Sequence, residues 1–267
     1  MTFRQALSAK RPLFLDGAMG TMLQASGLPA GTSPEEFCME NPDILRGIHA
    51  SYLKAGVDIL TSCTFGGNSY KLPKGMDVFA FNKRMATVAR AAAADVPRPG
   101  DRPVFVAGNV GPTGHFIKPL GPVEPRELIE AFAQQIRGLV AGGVDLIFIE
   151  TQFDLAEARA AVVAVRQECD LPVMVSMTFE QGVSLTGSTP TIFAETMQNM
   201  GVDVVGTNCS LGPDQMLPVV QELLNACECP VMAEPNAGLS ELRDNVTVFP
   251  LGPEGFAQKT APFAHMG

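Results

Sequence analysis

Two carboxylates stand at positions from which chemistry can be read. Asp16 directly follows the apolar run Pro12-Leu13-Phe14-Leu15, and Glu150 directly follows Leu146-Ile147-Phe148-Ile149. An acid at the end of a buried run is costly unless its charge is compensated. Either backbone amides tie it down, or a ligand ammonium or a metal ion sits against it. Gly17 and Gly20 flank the first acid, and glycines there leave backbone N–H groups open to a ligand carboxylate. Two acids and a nest of amides suit an amino acid, which carries both charges.

The cysteines divide by position. Cys63 and Cys209 stand at the ends of apolar runs, whereas Cys169, Cys227 and Cys229 precede them. Cys227-Glu228-Cys229 resembles half of a zinc site with no matching half, and Cys38 is expected to be simply packed in the long first loop. Cys63 and Cys209 alone fall short of the three or four ligands that zinc takes. No apolar run ends in lysine, which disfavours Schiff-base chemistry. None ends in histidine, which disfavours a His-rich metallohydrolase. His49, His115 and His265 fall on helix or loop patterns, and His49 and His265 read as packing or surface residues.

The elements that position these residues show in an internal repeat. Gly56-Val57-Asp58, Gly143-Val144-Asp145 and Gly201-Val202-Asp203 each lead into an apolar run, and Pro103-Val104, Pro172-Val173 and Pro230-Val231 open others. With Pro12–Leu15 these make seven continuous apolar runs, the pattern of strands buried on both faces of a parallel sheet. Helix patterns lie between them. They open at Asn41-Pro42 (stopping at Gly56), Glu124-Pro125 (ending at Gly142), Asp154 (through Val165), Thr191 (to Gly201) and Asp214 (to Ala226), and a last one spans Pro253–His265. This alternation, without a linker, predicts one α/β domain over residues 1–267. Its units read as a (βα)8 TIM-type barrel with the eighth βα unit missing, a chain truncated before a strand expected after Gly267. The turn Asp16-Gly17-Ala18-Met19-Gly20-Thr21 lacks the GxGxxG spacing of a dinucleotide-binding fold. In such a barrel the strand ends form the reactive face, gathering Asp16, Cys63, Asn109, Glu150, Thr178, Cys209, Glu234 and Asn236. A gap in the barrel would expose Leu13, Phe14, Leu15, Val231 and Met232, so self-association through the open edge is expected.

Net charge is −9 over 267 residues, with a pI near 4.9 and no cluster of Lys and Arg. Nucleic acid and anionic membrane surfaces are therefore excluded as partners. No apolar run reaches the roughly 18 residues of a membrane span, and the N-terminus opens no export signal. A cytoplasmic, reducing setting is expected for the six cysteines.

Six segments occur in a telling order: Leu15–Thr21, Thr64-Phe65-Gly66-Gly67-Asn68, Gly111-Pro112-Thr113, Phe148-Ile149-Glu150-Thr151, Gly206-Thr207-Asn208-Cys209 and Pro235-Asn236-Ala237-Gly238. On these the chain resembles, over essentially its whole length, the homocysteine-binding domain of the homocysteine S-methyltransferases. The resemblance implies a zinc-bearing (βα)8 barrel and methyl transfer to the thiol of homocysteine, giving methionine. The sulfur is held on Zn2+ as a thiolate and attacks a methyl group on a corrinoid or another donor. Carried over residue by residue, Cys209 is the catalytic residue and first zinc ligand. Asp16 and Glu150 receive the ammonium, and the amides around Gly17 and Ala18 receive the carboxylate. Asn236 sits beside the zinc and can fill its open position. The two further cysteine ligands of the family are expected beyond Gly267, so this chain is expected to bind zinc weakly or not at all. Cys63 stands where many relatives carry asparagine. The methyl-corrinoid is expected on another domain or protein. Two alternatives stay open: a Mg2+-dependent barrel lyase using Asp16, Glu150 and Glu234, and a zinc-free homocysteine-binding or docking module without catalysis.

Overall fold

The Gly-Val-Asp triplet folds the same way at each of its sites. Its glycine ends a helix in the left-handed region, with φ of +102° at Gly56, +83° at Gly143 and +75° at Gly201, where a Cβ would be strained. The valine that follows is buried each time. The aspartate then clasps one residue of the neighbouring segment twice. Asp58 donates its N–H to the Phe14 carbonyl (2.7 Å) and accepts the Phe14 N–H on Oδ2 (3.1 Å). Asp145 holds Val106 in the same way (2.8 and 2.7 Å), and Asp203 holds Val173 (2.8 and 2.9 Å). Side chain and backbone together therefore set the register with which each strand begins.

The structure, a computed structural model, describes residues 1–267 other than 10, 98–101, 240, 244–245 and 267. The chain divides into two compact units, Met1–Phe148 with Val163–Pro172, and Ile149–Val162 with Val173–Gly267. The first unit contains α1 (Phe3–Leu7), α2 (Met19–Ala25), α3 (Pro34–Glu40), α4 (Pro42–Ala55), β1 (Ile59–Thr61), α5 (Val78–Asp95), β2 (Phe105–Val110) and α6 (Pro125–Ala141). β3 (Leu146–Gln152) and α7 (Leu155–Glu168) contribute to both units. The second unit continues with β4 (Val173–Met177), α8 (Pro190–Asn199), β5 (Val204–Asn208), α9 (Pro213–Ala226), β6 (Val231–Glu234), β7 (Glu241–Arg243), β8 (Val246–Val248), α10 (Pro253–Thr260) and a 3-10 turn, Ala261–His265.

The sheet order is β1-β2-β3 in the first unit and β3-β4-β5-β6 in the second. The pairs β1–β2, β4–β5 and β5–β6 are parallel, with Ile59 opposite Phe105, Met174 opposite Val204 and Val205 opposite Val231. Every residue of β2 and β4 is buried, as unalternating apolar runs require of strands buried on both faces. Helix starts follow capping chemistry. Ser33 caps α3, Asp77 caps α5, and Glu124 forms a reciprocal box with Glu127 at α6.

The structure corrects several expectations. The first apolar run is not a full strand: it makes one bridge, Leu15 to Ile59. Its ladder stops there because the next strand donor, the Thr61 N–H, is taken by the Asp16 carboxylate (3.0 and 3.1 Å). Phe14 is 60% exposed, whereas Met232, expected at the same open edge, is buried at 6%, so only part of the expected apolar edge faces outward. The long first loop holds α2 and α3, and Cys38 lies on α3 rather than in irregular chain. Helix α5 and the antiparallel β7–β8 hairpin were not anticipated. Helix α8 is capped by Thr189, two residues before Thr191. Gly267, the expected junction to a further strand, lies outside the described residues. Among the described residues, no helix is long and apolar enough to cross a membrane.

Candidate functional site

In the second unit, polar side chains converge where β3, β4, β5 and β6 end. Asn208 is buried, and its Nδ2 donates to Thr151 Oγ1 (2.7 Å), Glu150 Oε1 (3.3 Å) and Cys209 Sγ (3.3 Å). Its Oδ1 accepts from the buried Ser176 hydroxyl on β4 (2.9 Å), and that oxygen in turn accepts the Thr151 N–H (3.1 Å). Thr151 and Cys209 both take left-handed backbone, with φ of +57° and +58°. That conformation is strained for a β-branched threonine and is found mostly where surroundings enforce it. The Cys209 N–H is held by the Glu234 carbonyl (3.1 Å) and the Asn236 N–H by the Leu211 carbonyl (2.9 Å), so backbone bonds bring the β5 and β6 ends together.

Electrostatics set the state of the sulfur. Burial pushes the Cys209 thiol up to about 11, and the carboxylates of Glu150 and Glu234 push in the same direction against hydrogen bonds from Thr151 and Asn208. At neutral pH the sulfur is a protonated thiol, a poor nucleophile by itself. A cation against the two acids would offset the charge part of that push, burial being the larger part.

In the first unit, Asp16 is buried, and both its oxygens accept from Thr61: the N–H at 3.1 and 3.0 Å and the hydroxyl at 2.9 Å. Part of its role is thus the tie to a backbone amide that compensates a buried acid. Gly17 passes close beneath Tyr52, whose hydroxyl oxygen would lie 3.0 Å from a Cβ there. Tyr52 donates to the Ala18 carbonyl (3.0 Å); burial and then Asp16 push its hydroxyl up, so it remains a donor. The glycines of Thr64–Asn68 are explained by crowding: a Cβ on Gly66 would sit 2.5 Å from Glu35 Oε1, and one on Gly67 2.4 Å from Asn82 Oδ1. Cys63 belongs to this unit and touches Cys38, not Cys209.

The order of these motifs has a counterpart among known proteins. Residues 13–267 match the sequence profile of the family described as homocysteine S-methyltransferase. The chain belongs to the homocysteine S-methyltransferase family. Its relatives include the methionine synthases of Mycobacterium leprae and Mycobacterium tuberculosis, each 33% identical over 270 residues. Those alignments cover 96% of this chain and 22% of each relative, so the chain spans about a fifth of their length. Among solved structures, the metallated form of the homocysteine methyltransferase MmuM from Escherichia coli is 22% identical over 88% of this chain and 87% of its own, with a TM-score of 0.76. That likeness is one of fold.

Of the residues this family resemblance singles out, Glu150 and Cys209 come together in the second unit, joined through Asn208, with Glu234 beside them. Asn236 follows on the β6 loop, half-buried. Asp16, Gly17 and Ala18 lie in the first unit. Ser176 carries no assignment from the sequence, and Thr151 and Asn208 appear there only as members of the ordered segments. A serine within Val-Met-Val-Ser-Met is the signal available for one of them. Zinc does not fit these residues alone: Cys209 offers one thiol, and among the described residues no group of three or more His, Cys, Asp or Glu could hold a metal ion.

Proposed function

We propose that this chain is the homocysteine-binding, methyl-accepting module of a methionine synthase-like enzyme, built as a partial (βα)8 barrel. The observation that carries the reading is the Cys209 cluster. In a homocysteine S-methyltransferase family member, a thiol stands between two carboxylates and an aimed amide donor at the strand ends. A carboxylate accepts several hydrogen bonds, so Glu150 can hold Asn208 and the ammonium of homocysteine together. Asp16, tied to Thr61, is the candidate acid of the first unit, and the Gly17 and Ala18 amides are the candidates for the substrate carboxylate. With its proton lost to solvent, the homocysteine sulfur would supply the electron pair of the new S–C bond, and the donor would keep the pair of the bond it gives up to the methyl group. We place that donor, a methyl-corrinoid, on another domain or protein. Cys209 would contribute one zinc thiolate, with the remaining ligands outside the described residues. Family membership favours this transferase reading over a Mg2+-dependent lyase.

Calorimetric titration with L-homocysteine tests the assignment. Glu150→Gln and Asp16→Asn are each expected to weaken binding about 10- to 100-fold, as loss of a charge-assisted hydrogen bond worth roughly 1.5–3 kcal/mol implies. 4-Mercaptobutanoate, which lacks the amine, should bind the unaltered protein with a similar deficit. Equal affinity for the two ligands would remove both acids from the ammonium.

A further inference from the structure

The first unit holds a buried sulfur pair that methyl transfer does not use. Cys38 on α3 and Cys63, two residues past β1, are both buried with their Sγ atoms 3.6 Å apart. The pair sits in a sulfur-rich core with Met85, and Met19, Met22, Met39 and Met76 pack against the same cluster. A second contact fastens the same two segments. Glu35, one turn before Cys38, accepts the Gly66 N–H (2.8 Å), three residues beyond Cys63. The two thiols therefore face each other between segments already held in register, 25 positions apart in the chain.

We propose that Cys38 and Cys63 form an oxidation site that closes to an intramolecular disulfide when the folded protein meets hydrogen peroxide or a comparable small two-electron oxidant. A disulfide needs sulfurs about 2.05 Å apart, so closure asks for an approach of roughly 1.5 Å. The seven-residue α3 is the freer of the two segments, because β1 is held in a parallel ladder with β2. The chemistry balances. One thiol, losing its proton, attacks a peroxide oxygen; the O–O bond breaks, and a sulfenic acid and one water result. The second sulfur then attacks the sulfenic sulfur, the S–O bond breaks, and a second water leaves. Both sulfurs are oxidised and the peroxide is reduced. The hydrogen bond to Cys38, burial, and the charges of Glu35 and Asp16 all push the Cys63 thiol up, so thiolate forms slowly there and closure calls for excess oxidant. The cross-link joins α3 to the segment whose Thr61 holds Asp16.

The test uses the full chain, folded, treated with hydrogen peroxide, alkylated, digested and mapped by mass spectrometry without reductant. The expected product is a peptide pair linking Cys38 to Cys63, lighter by two hydrogens than the two reduced peptides and separated again by dithiothreitol. Cys63→Ser should abolish it, and the unaltered chain alone decides the matter if that variant fails to fold. The Cys227–Cys229 peptide reports oxidation of other thiols in the same digest. Recovery of Cys38 and Cys63 as alkylated thiols or separate sulfinic acids while that peptide is oxidised would overturn the proposal. So would a linked pair that forms only in urea-unfolded protein.

Discussion

Asn208 holds the second unit's cluster because its hydrogen bonds have a readable direction. The Thr151 N–H already points at Ser176 Oγ, so the serine hydroxyl proton is left for Asn208 Oδ1. With Oδ1 committed, the amide N–H groups must face Thr151, Glu150 and Cys209. That is the orientation an anion needs, whether carboxylate or thiolate. It also accounts for the strained backbone at Thr151 and Cys209, since a conformation costing of order 1–3 kcal/mol persists only where neighbours over-determine it. Asn208→Asp would set a carboxylate oxygen against Glu150 in place of a donor. It is expected to lower homocysteine affinity about 10-fold or more. Ser176→Ala removes only the orienting bond and is expected to cost less. Unchanged affinity in Asn208→Asp, measured by calorimetry beside Glu150→Gln, would refute the directional role.

At the scale of elements, the Gly-Val-Asp cassettes explain why the sheet was legible from the sequence. Each cassette joins a helix stop, a buried valine and an aspartate clasp, so the repeat marks the starts of β1, β3 and β5 together with the ends of the helices before them. Asp203 offers a trial of a clasp through its bond to Val173. Asp203→Ala strands the Val173 N–H at a buried strand start and is expected to cost about 1–3 kcal/mol in urea unfolding. Asp203→Asn keeps an acceptor oxygen and should lose less; equal losses would mean that charge, not the clasp, is what matters. Other elements were hidden for physical reasons. The N-cap of α2 is Ala18, which makes no side-chain cap, so the helix onset carries no sequence signal. The first apolar run reads as a strand by composition, yet the Asp16 side chain competes for the very donor that would extend its ladder. Asp16 in the first unit, and Glu150 and Cys209 in the second, are visible in the sequence as polar residues ending apolar runs. Ser176 and Asn208 act through which atom faces which, and that exists only once strands from distant parts of the sequence lie side by side.

The stability of the whole molecule in acid turns on a competition between its net charge and one buried imidazole. With 28 acidic against 19 basic residues and a pI near 4.9, mild acidification brings the chain toward neutrality and relieves self-repulsion. His49 works against this. It lies fully buried on α4, and among the described residues neither ring nitrogen has a hydrogen-bond partner. Burial lowers its pKa to about 4, against 6.5 for the free side chain. Between those values the unfolded chain binds a proton that the folded chain refuses, so stability falls as pH drops from 6.5 toward 4 and levels off below. From pH 7 to pH 5 this group alone is expected to remove about 2 kcal/mol from the free energy of unfolding, more than distant surface charges recover at physiological ionic strength. His49→Leu keeps an apolar group in the cavity without the proton site. Its urea midpoint should therefore change much less between pH 7 and pH 5 than that of the unaltered protein. Parallel curves for the two proteins, or an imidazole resonance of the folded chain titrating near 6.5, would show that His49 reaches solvent and that acid acts on this fold elsewhere.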